Sequence, residues 1–212
     1  MEKKEIFNKR NKMIVPKSCI KWLNLQRTGY KKPIVQFKEN MNKEYWLMED
    51  YLPEKCNSIL DIGCGIGGID VLLYKHYNNP SLYLLDNSEI TEKRHYGYHK
   101  TGACYNSFDA TNDLMKENHI KNYNLIDIKN ILPPEHIKYD IIISLLSCGY
   151  HYPVAEYLEY INKTLTEDGT LIIDCRQKTN GIETLQKYFK DIKIISCYNK
   201  SDRICARRNK NV

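Results

Sequence analysis

The sequence predicts an α/β protein built on a mostly parallel sheet with helices on both faces. Apolar runs of strand length alternate with stretches of helical periodicity from residue 58 onward, the arrangement that βαβ units produce. A glycine-rich turn over residues 63–68 follows the first of these runs directly. Residues 139–146 form a continuous apolar run, as expected of a strand buried on both faces of a parallel sheet. The chain has 212 residues, enough for one sizeable core with an additional segment.

Taken in order, residues 1–12 are expected to fray. Ile20, Trp22, Leu23 and Leu25 suggest a short helix over 17–25, and residues 28–33, with Gly29 and Pro33, read as a break. A second helix is expected over 44–52, closed by Pro53. Residues 1–43 hold twelve Lys/Arg against three Glu, a net of +9 within a chain total of +6. They are therefore assigned to a basic N-terminal arm or cap, dispensable for folding of the sheet, and residues 44–212 to the core. Such an arm suits nucleic acid, an acidic protein or a phosphorylated substrate, and equally a solubilising tail.

Ser58-Ile59-Leu60-Asp61-Ile62 is a short apolar run with a carboxylate near its end, followed by Gly63, Gly65, Gly67 and Gly68 before a helical pattern resumes. That is a buried strand, a tight turn and a helix start, shaped as a cradle for a small molecule. The spacing Gly63-x-Gly65-x-x-Gly68 also satisfies the dinucleotide fingerprint, so the glycines alone leave a nicotinamide or flavin open. Asp61 argues against that reading, because a carboxylate at the mouth repels a pyrophosphate. It favours the ammonium and sulfonium cations of S-adenosylmethionine.

Asp61-Ile62-Gly63-Cys64-Gly65-Ile66-Gly67 resembles the first motif of the class I S-adenosylmethionine-dependent methyltransferases, a hydrophobic strand followed by D-x-G-x-G-x-G. The resemblance spans residues 44–208. It implies a three-layer α/β/α Rossmann-like sandwich whose seven-stranded sheet has the order 3-2-1-4-5-7-6, with the last strand antiparallel. It also implies S-adenosylmethionine as cofactor, held by Asp61, Gly63, Cys64, Gly65, Asp86, Asn87, Asp127, Ile128 and Ser144. In related enzymes the segment before the first strand often caps the cofactor, which brings Tyr45 and Trp46 into consideration as covers or as core.

Beyond the glycines a helix is expected to about Asn78, ended by Asn79-Pro80, and a second strand over 82–86. Asp86 closes that strand 23 residues beyond Gly63, where an acidic side chain can accept both ribose hydroxyls of a nucleoside. Asn87 follows it toward the adenine. Residues 89–106 lack periodicity and read as an irregular insertion walling the pocket. A helix over 109–119 leads to a third strand over 123–128, where the resemblance carries Asp127 to the adenine amino group. The fourth strand, 139–146, runs into Ser147-Cys148-Gly149-Tyr150-His151-Tyr152-Pro153, read as a loop. Ligands of open α/β sheets sit at the carboxyl ends of strands, and the resemblance places substrate and chemistry on this loop. An amphipathic helix over 154–165 and a strand over 170–175 follow. The string Leu165-Thr166-Glu167-Asp168-Gly169-Thr170-Leu171 resembles the family's L-K-P-G-G-x-L with Glu167-Asp168 in place of Pro-Gly. A helix over 181–189 and strands over 192–198 and 203–207 complete a closing hairpin.

Methyl transfer from a sulfonium is an in-line displacement that needs positioning more than acid or base power, although a hydroxyl acceptor profits from a neighbouring base. His151 is the candidate base, with Tyr150 and Tyr152 flanking it as substrate contacts. The loop lacks the N-P-P-Y of amine-methylating enzymes and the Pro-Cys nucleophile of cytosine methylation, since Ser147 precedes Cys148. The leading function is methylation of a hydroxyl on a small molecule such as a sugar. An RNA-directed methyltransferase using the basic arm and a non-catalytic cofactor-binding partner subunit remain as alternatives.

Hydrophobic residues make up 42% and charged residues 27%, the balance of an ordinary globular chain rather than a disordered one. Eight scattered cysteines without a C-x-x-C pair support neither structural zinc nor a disulfide framework. No metal is expected. Neither a membrane-span run nor a secretory signal is present, so a cytoplasmic location and no membrane partner are expected.

Overall fold

The computed structural model describes residues 12–26, 31–88, 106–129, 132–198 and 200–208. The fraying expected before residue 12, most of the break at 28–30 and the insertion over 89–105 lie outside the described residues.

Period-two alternation explains how the central strands serve two faces at once. In β1 (Ser58–Ile62), Ile59 packs into one core cluster while Leu60 and Ile62 pack into the other. In β4 (Tyr139–Ser144), Ile141 and Ile143 oppose Ile142 in the same way. In β2 (Ser81–Asp86), Leu82 and Leu84 oppose Leu85. The first face is covered by α3 (Gly68–Tyr77) and α4 (Phe108–Glu117), with Leu72 and Leu114 turned inward. The second is covered by α5 (Ala155–Thr164), whose Leu158 and Ile161 join Leu185 of the short α6 (Gly181–Leu185).

The remaining strands are β3 (Tyr123–Asp127), β5 (Ser147–Tyr152), β6 (Leu165–Arg176), β7 (Asp191–Tyr198) and β8 (Ser201–Arg207). The seven-stranded sheet runs β3-β2-β1-β4-β6-β8-β7, with β8 antiparallel to both neighbours. Counting only the strands of this sheet, the order is 3-2-1-4-5-7-6, as the family resemblance implies. The topology reverses beside β1, so the carboxyl ends of β1, β2 and β4 border one crevice.

Two local readings need correction. Residues 147–152 are a strand rather than a loop, laid against β6: Arg176 Nε donates to the Tyr150 carbonyl at 2.8 Å. Gly149 makes this approach possible. It has a φ of +85°, and a Cβ there would lie 2.7 Å from the Asp174 carbonyl oxygen. The second helix begins earlier than expected. After α1 (Ile20–Gln26), α2 runs from Pro33 to Met48, with Pro33 in its first turn, where the missing N–H costs no helical bond. The proline that reads as a break is a helix start. The division after residue 43 therefore falls inside α2. Met13, Val15, Cys19, Leu23 and Phe37 are buried in the first-face cluster, which packs the described parts of the N-terminal segment, 12–26 and α2, into the core.

Candidate active site at the carboxyl ends of the strands

The glycine turn is held open by its own geometry. Gly63, Gly65 and Gly67 have φ of +82°, +55° and +81°, and the first two line a cavity of about 290 Å³. A Cβ at Gly63 would lie 2.0 Å from Ser147 Oγ, so the first motif touches β5 directly. The cavity is walled by the turn and Asp61, by Asp86 and Asn106, by Leu145, Leu146, Ser147 and His151, and by a roof from α1 and α2 that includes Gln26, Phe37, Met41 and Glu44. Its volume lies at the small end of ligand sites, about 300 to 1,000 Å³.

Asp86 is held by two backbone donors: Gly65 N–H reaches Oδ2 and Asn87 N–H reaches Oδ1, both at 2.7 Å. Each oxygen keeps a lone pair for a ligand hydroxyl. Burial pushes its carboxyl up to about 6, against the Asn87 and Gly65 hydrogen bonds, which lower it. Asp61 is 2% exposed, and its Oδ1 has no protein donor among the described residues. Burial holds its carboxyl well above the usual carboxylate range, with Asp70 and Asp86 pushing the same way. Cys64 is buried beside them, and burial raises its thiol far above the ordinary value, so it is an uncharged wall and not a nucleophile.

The other sequence-derived candidates divide. His151 lines the cavity, with its ring edge-on to Tyr150 at 4.9 Å. Tyr150 is stacked under Arg176 at 4.4 Å, and Tyr152 Oη lies 3.0 Å from Ser147 Oγ; neither ring is on the cavity wall. The Ser144 hydroxyl is fully buried, donating to the Ile62 carbonyl at 2.7 Å and accepting from Cys148 N–H at 2.9 Å, so it ties β4 to β1 and to β5. Asp127 accepts from Lys129 N–H at 3.0 Å and from the Ser88 hydroxyl at 3.3 Å, and Ile128 N–H donates to the Asp86 carbonyl. Asn87, Asp127 and Ile128 thus lie around Asp86 and off the cavity wall. Tyr45 is buried, its hydroxyl 2.6 Å from His76 Nδ1, which makes it core. Trp46 packs edge-on against Tyr45 at 5.0 Å, within the same cluster.

Two residues of the wall were invisible in sequence. Arg203 of β8 is 6% exposed and gripped bidentately by Asp174, Nε to Oδ1 at 2.8 Å and Nη2 to Oδ2 at 2.9 Å. Its Nη1 reaches Glu44 Oε2 at 2.5 Å. Asp174 Oδ2 also accepts from Leu146 N–H at 3.0 Å. The cluster therefore joins the roof helix, β6, β8 and the chain after β4 at the cavity edge. No group of three or more potential metal ligands occurs among the described residues.

No protein-family model matches the chain, and no curated protein matches it in sequence. Solved structures match in fold. A protein from Pyrococcus horikoshii aligns with a TM-score of 0.60 at 13% identity, covering 92% of this chain and 100% of the other. The precorrin-6y C5,15-methyltransferase of Geobacter metallireducens aligns at 0.55 and 14% identity, covering 94% and 95%. The ribosomal protein L11 methylase of Lactobacillus delbrueckii aligns at 0.55 and 14%, covering 81% and 79%. With its strand order, its antiparallel β8 and these matches, the chain has the Rossmann-like fold of the class I S-adenosylmethionine-dependent methyltransferases.

Proposed function

We propose that the protein is a methyltransferase that uses S-adenosylmethionine and transfers the methyl group to a hydroxyl of a small molecule, a sugar or another metabolite. The observation that carries this reading is the juxtaposition in one cavity of Asp61, with a buried oxygen lacking a protein donor among the described residues, Asp86, held by two backbone N–H groups, and His151. These residues fit the cofactor: Asp61 suits a cation, Asp86 suits paired ribose hydroxyls, and the glycine turn admits close backbone approach. When bound, the cofactor supplies a methyl group on a sulfonium.

The chain's own contribution is positioning and the handling of one proton. Gly63 and Gly65 shape the floor, and α1 and α2 cover the cavity from above. His151 Nδ1 or Nε2 accepts the proton of the acceptor hydroxyl as its oxygen becomes the nucleophile. The formal charges on the wall are Glu44, Asp61 and Asp86 against Arg203, and Arg203 is already held by two carboxylates. Such a wall favours an uncharged acceptor over the phosphates of RNA.

Titration calorimetry with S-adenosylmethionine and S-adenosylhomocysteine tests the cofactor. Saturable heat is expected with both, and binding of a nicotinamide dinucleotide instead would sink the assignment. A methyl-transfer assay against a panel of sugars, other metabolites and RNA tests the acceptor. His151→Ala should then lower turnover by about 10² to 10⁴ while leaving cofactor affinity nearly unchanged. Undiminished turnover in that variant would reject the base role. At saturating cofactor, the acid limb of the pH–rate profile should also disappear with the imidazole.

A further inference from the structure

Behind Asp61 lies a second carboxyl that the proposed chemistry leaves unexplained. Asp70, in the first turn of α3, is 0% exposed, and neither of its oxygens has a protein donor among the described residues. It stands within side-chain hydrogen-bonding reach of Asp61 but does not line the cavity. The other titratable groups facing the pair are Asp86 from β2 and the Cys64 thiol from the turn. Farther along the wall stand Glu44 of α2, His151 of β5 and Arg203 of β8, the last committed to Asp174 and Glu44. Two carboxyls in contact and out of water cannot both ionise cheaply, so they retain one proton between them.

We propose that Asp70 is a positioning residue for the ligand-facing carboxylate: in the free protein it shares one proton with Asp61, and a cation arriving beside Asp61 drives that proton off. One carboxyl O–H bond breaks, the proton passes to buffer, and the ligand's positive charge takes its place, so charge balances. The shared proton gives Asp61 a hydrogen bond, and so orients it. Burial raises both carboxyls, Asp70 to about 7 and Asp61 well above the usual carboxylate range, so the free protein keeps a proton in the pair. The consequence is a cofactor affinity that strengthens as pH rises toward neutrality, by at most about tenfold per pH unit for one linked proton.

The inference rests on the reading of the cavity as an S-adenosylmethionine site, and the experiment separates the two. Calorimetric titrations of the full chain with S-adenosylmethionine at pH 6, in two buffers of different ionisation enthalpy, count the protons released. Release of a measurable fraction of one proton, with affinity rising from pH 5.5 to 7, is expected. Binding with identical heats in both buffers and flat affinity would overturn the proposal while leaving the cofactor reading intact; no binding at any pH would overturn that reading and the proposal with it. Asp70→Asn should abolish the release, whereas His151→Gln, which takes the imidazole off the wall, should retain it. Loss of the release in the His151 variant would assign the proton elsewhere and reject the role of Asp70. Should Asp70→Asn fail to fold, the wild-type proton count decides.

Discussion

Asp86 accepts two backbone N–H groups and still offers lone pairs to the cavity, so its loss removes hydrogen bonds to a ligand. It also leaves the Gly65 amide without its partner. Asp86→Ala should weaken S-adenosylmethionine binding by roughly 1 to 3 kcal/mol, the range for hydrogen bonds involving a charged group, as read by calorimetry. Asp70 bears on the stability of the free protein. Its folded-state value of about 7 lies above the ordinary 3.8, so the folded chain holds more protons than the unfolded chain between those values. The contribution is therefore present in full below pH 3.8 and is lost as pH rises toward 7. Asp70→Asn should gain on the wild type across that window, giving urea midpoints that diverge in its favour between pH 4.5 and 7; parallel midpoints would refute this. Asp61 and Asp86 were legible in the sequence because each stands at the end of an apolar run, so position alone implies a strand terminus. Ser144 and Tyr152 also stand near strand ends, but hydrogen bonds within the framework claim their hydroxyls. Which end-of-strand polar groups remain available to a ligand is settled by partners that no local pattern reveals.

At the scale of elements, α2 depends on Arg203 for its seat. The guanidinium sits between Asp174 and Glu44, residues brought together across 159 positions of sequence in the Glu44 case, which is why no motif announced them. Cutting one partner from a buried ion cluster leaves uncompensated charge and costs about 3 to 5 kcal/mol. Arg203→Leu should show a loss of that size in chemical denaturation. Glu44→Gln, which keeps a hydrogen-bonding oxygen and leaves the Asp174 pair whole, should lose less. Strand β5 shows the limit of composition in another way. Its Gly-Tyr-His-Tyr sequence has the look of a turn, and the tight seat of Gly149 against the Asp174 carbonyl lets it lie along β6 as a strand.

Across the whole molecule, the alternation of strands and helices made the α/β class legible and the family resemblance at the first motif implied the sheet order, while the part played by the segment before β1 was legible in neither. Its charge suggests a detached arm, yet Leu23, Phe37 and Met48 are buried with the helices of the first face. Deleting residues 1–43 should therefore broaden and lower thermal unfolding and abolish cofactor binding. A truncated chain that melts cooperatively at the wild-type temperature would show instead that the sheet stands without it. No helix among the described residues is long and apolar enough to cross a membrane. The contact between Gly63 and Ser147 spans the molecule in a different sense, because it joins the turn after β1 to the strand that carries His151. With only a hydrogen atom as its side chain, Gly63 lets Ser147 approach to where a Cβ would be 2.0 Å from its hydroxyl. The glycine thereby acts as a gauge block: it fixes the gap between the first-motif wall of the cavity and the wall that carries His151. The in-line displacement proposed for this cavity depends on such a gap being closed to near contact. A single methyl group at position 63 would wedge the two walls apart while leaving every charged group in place.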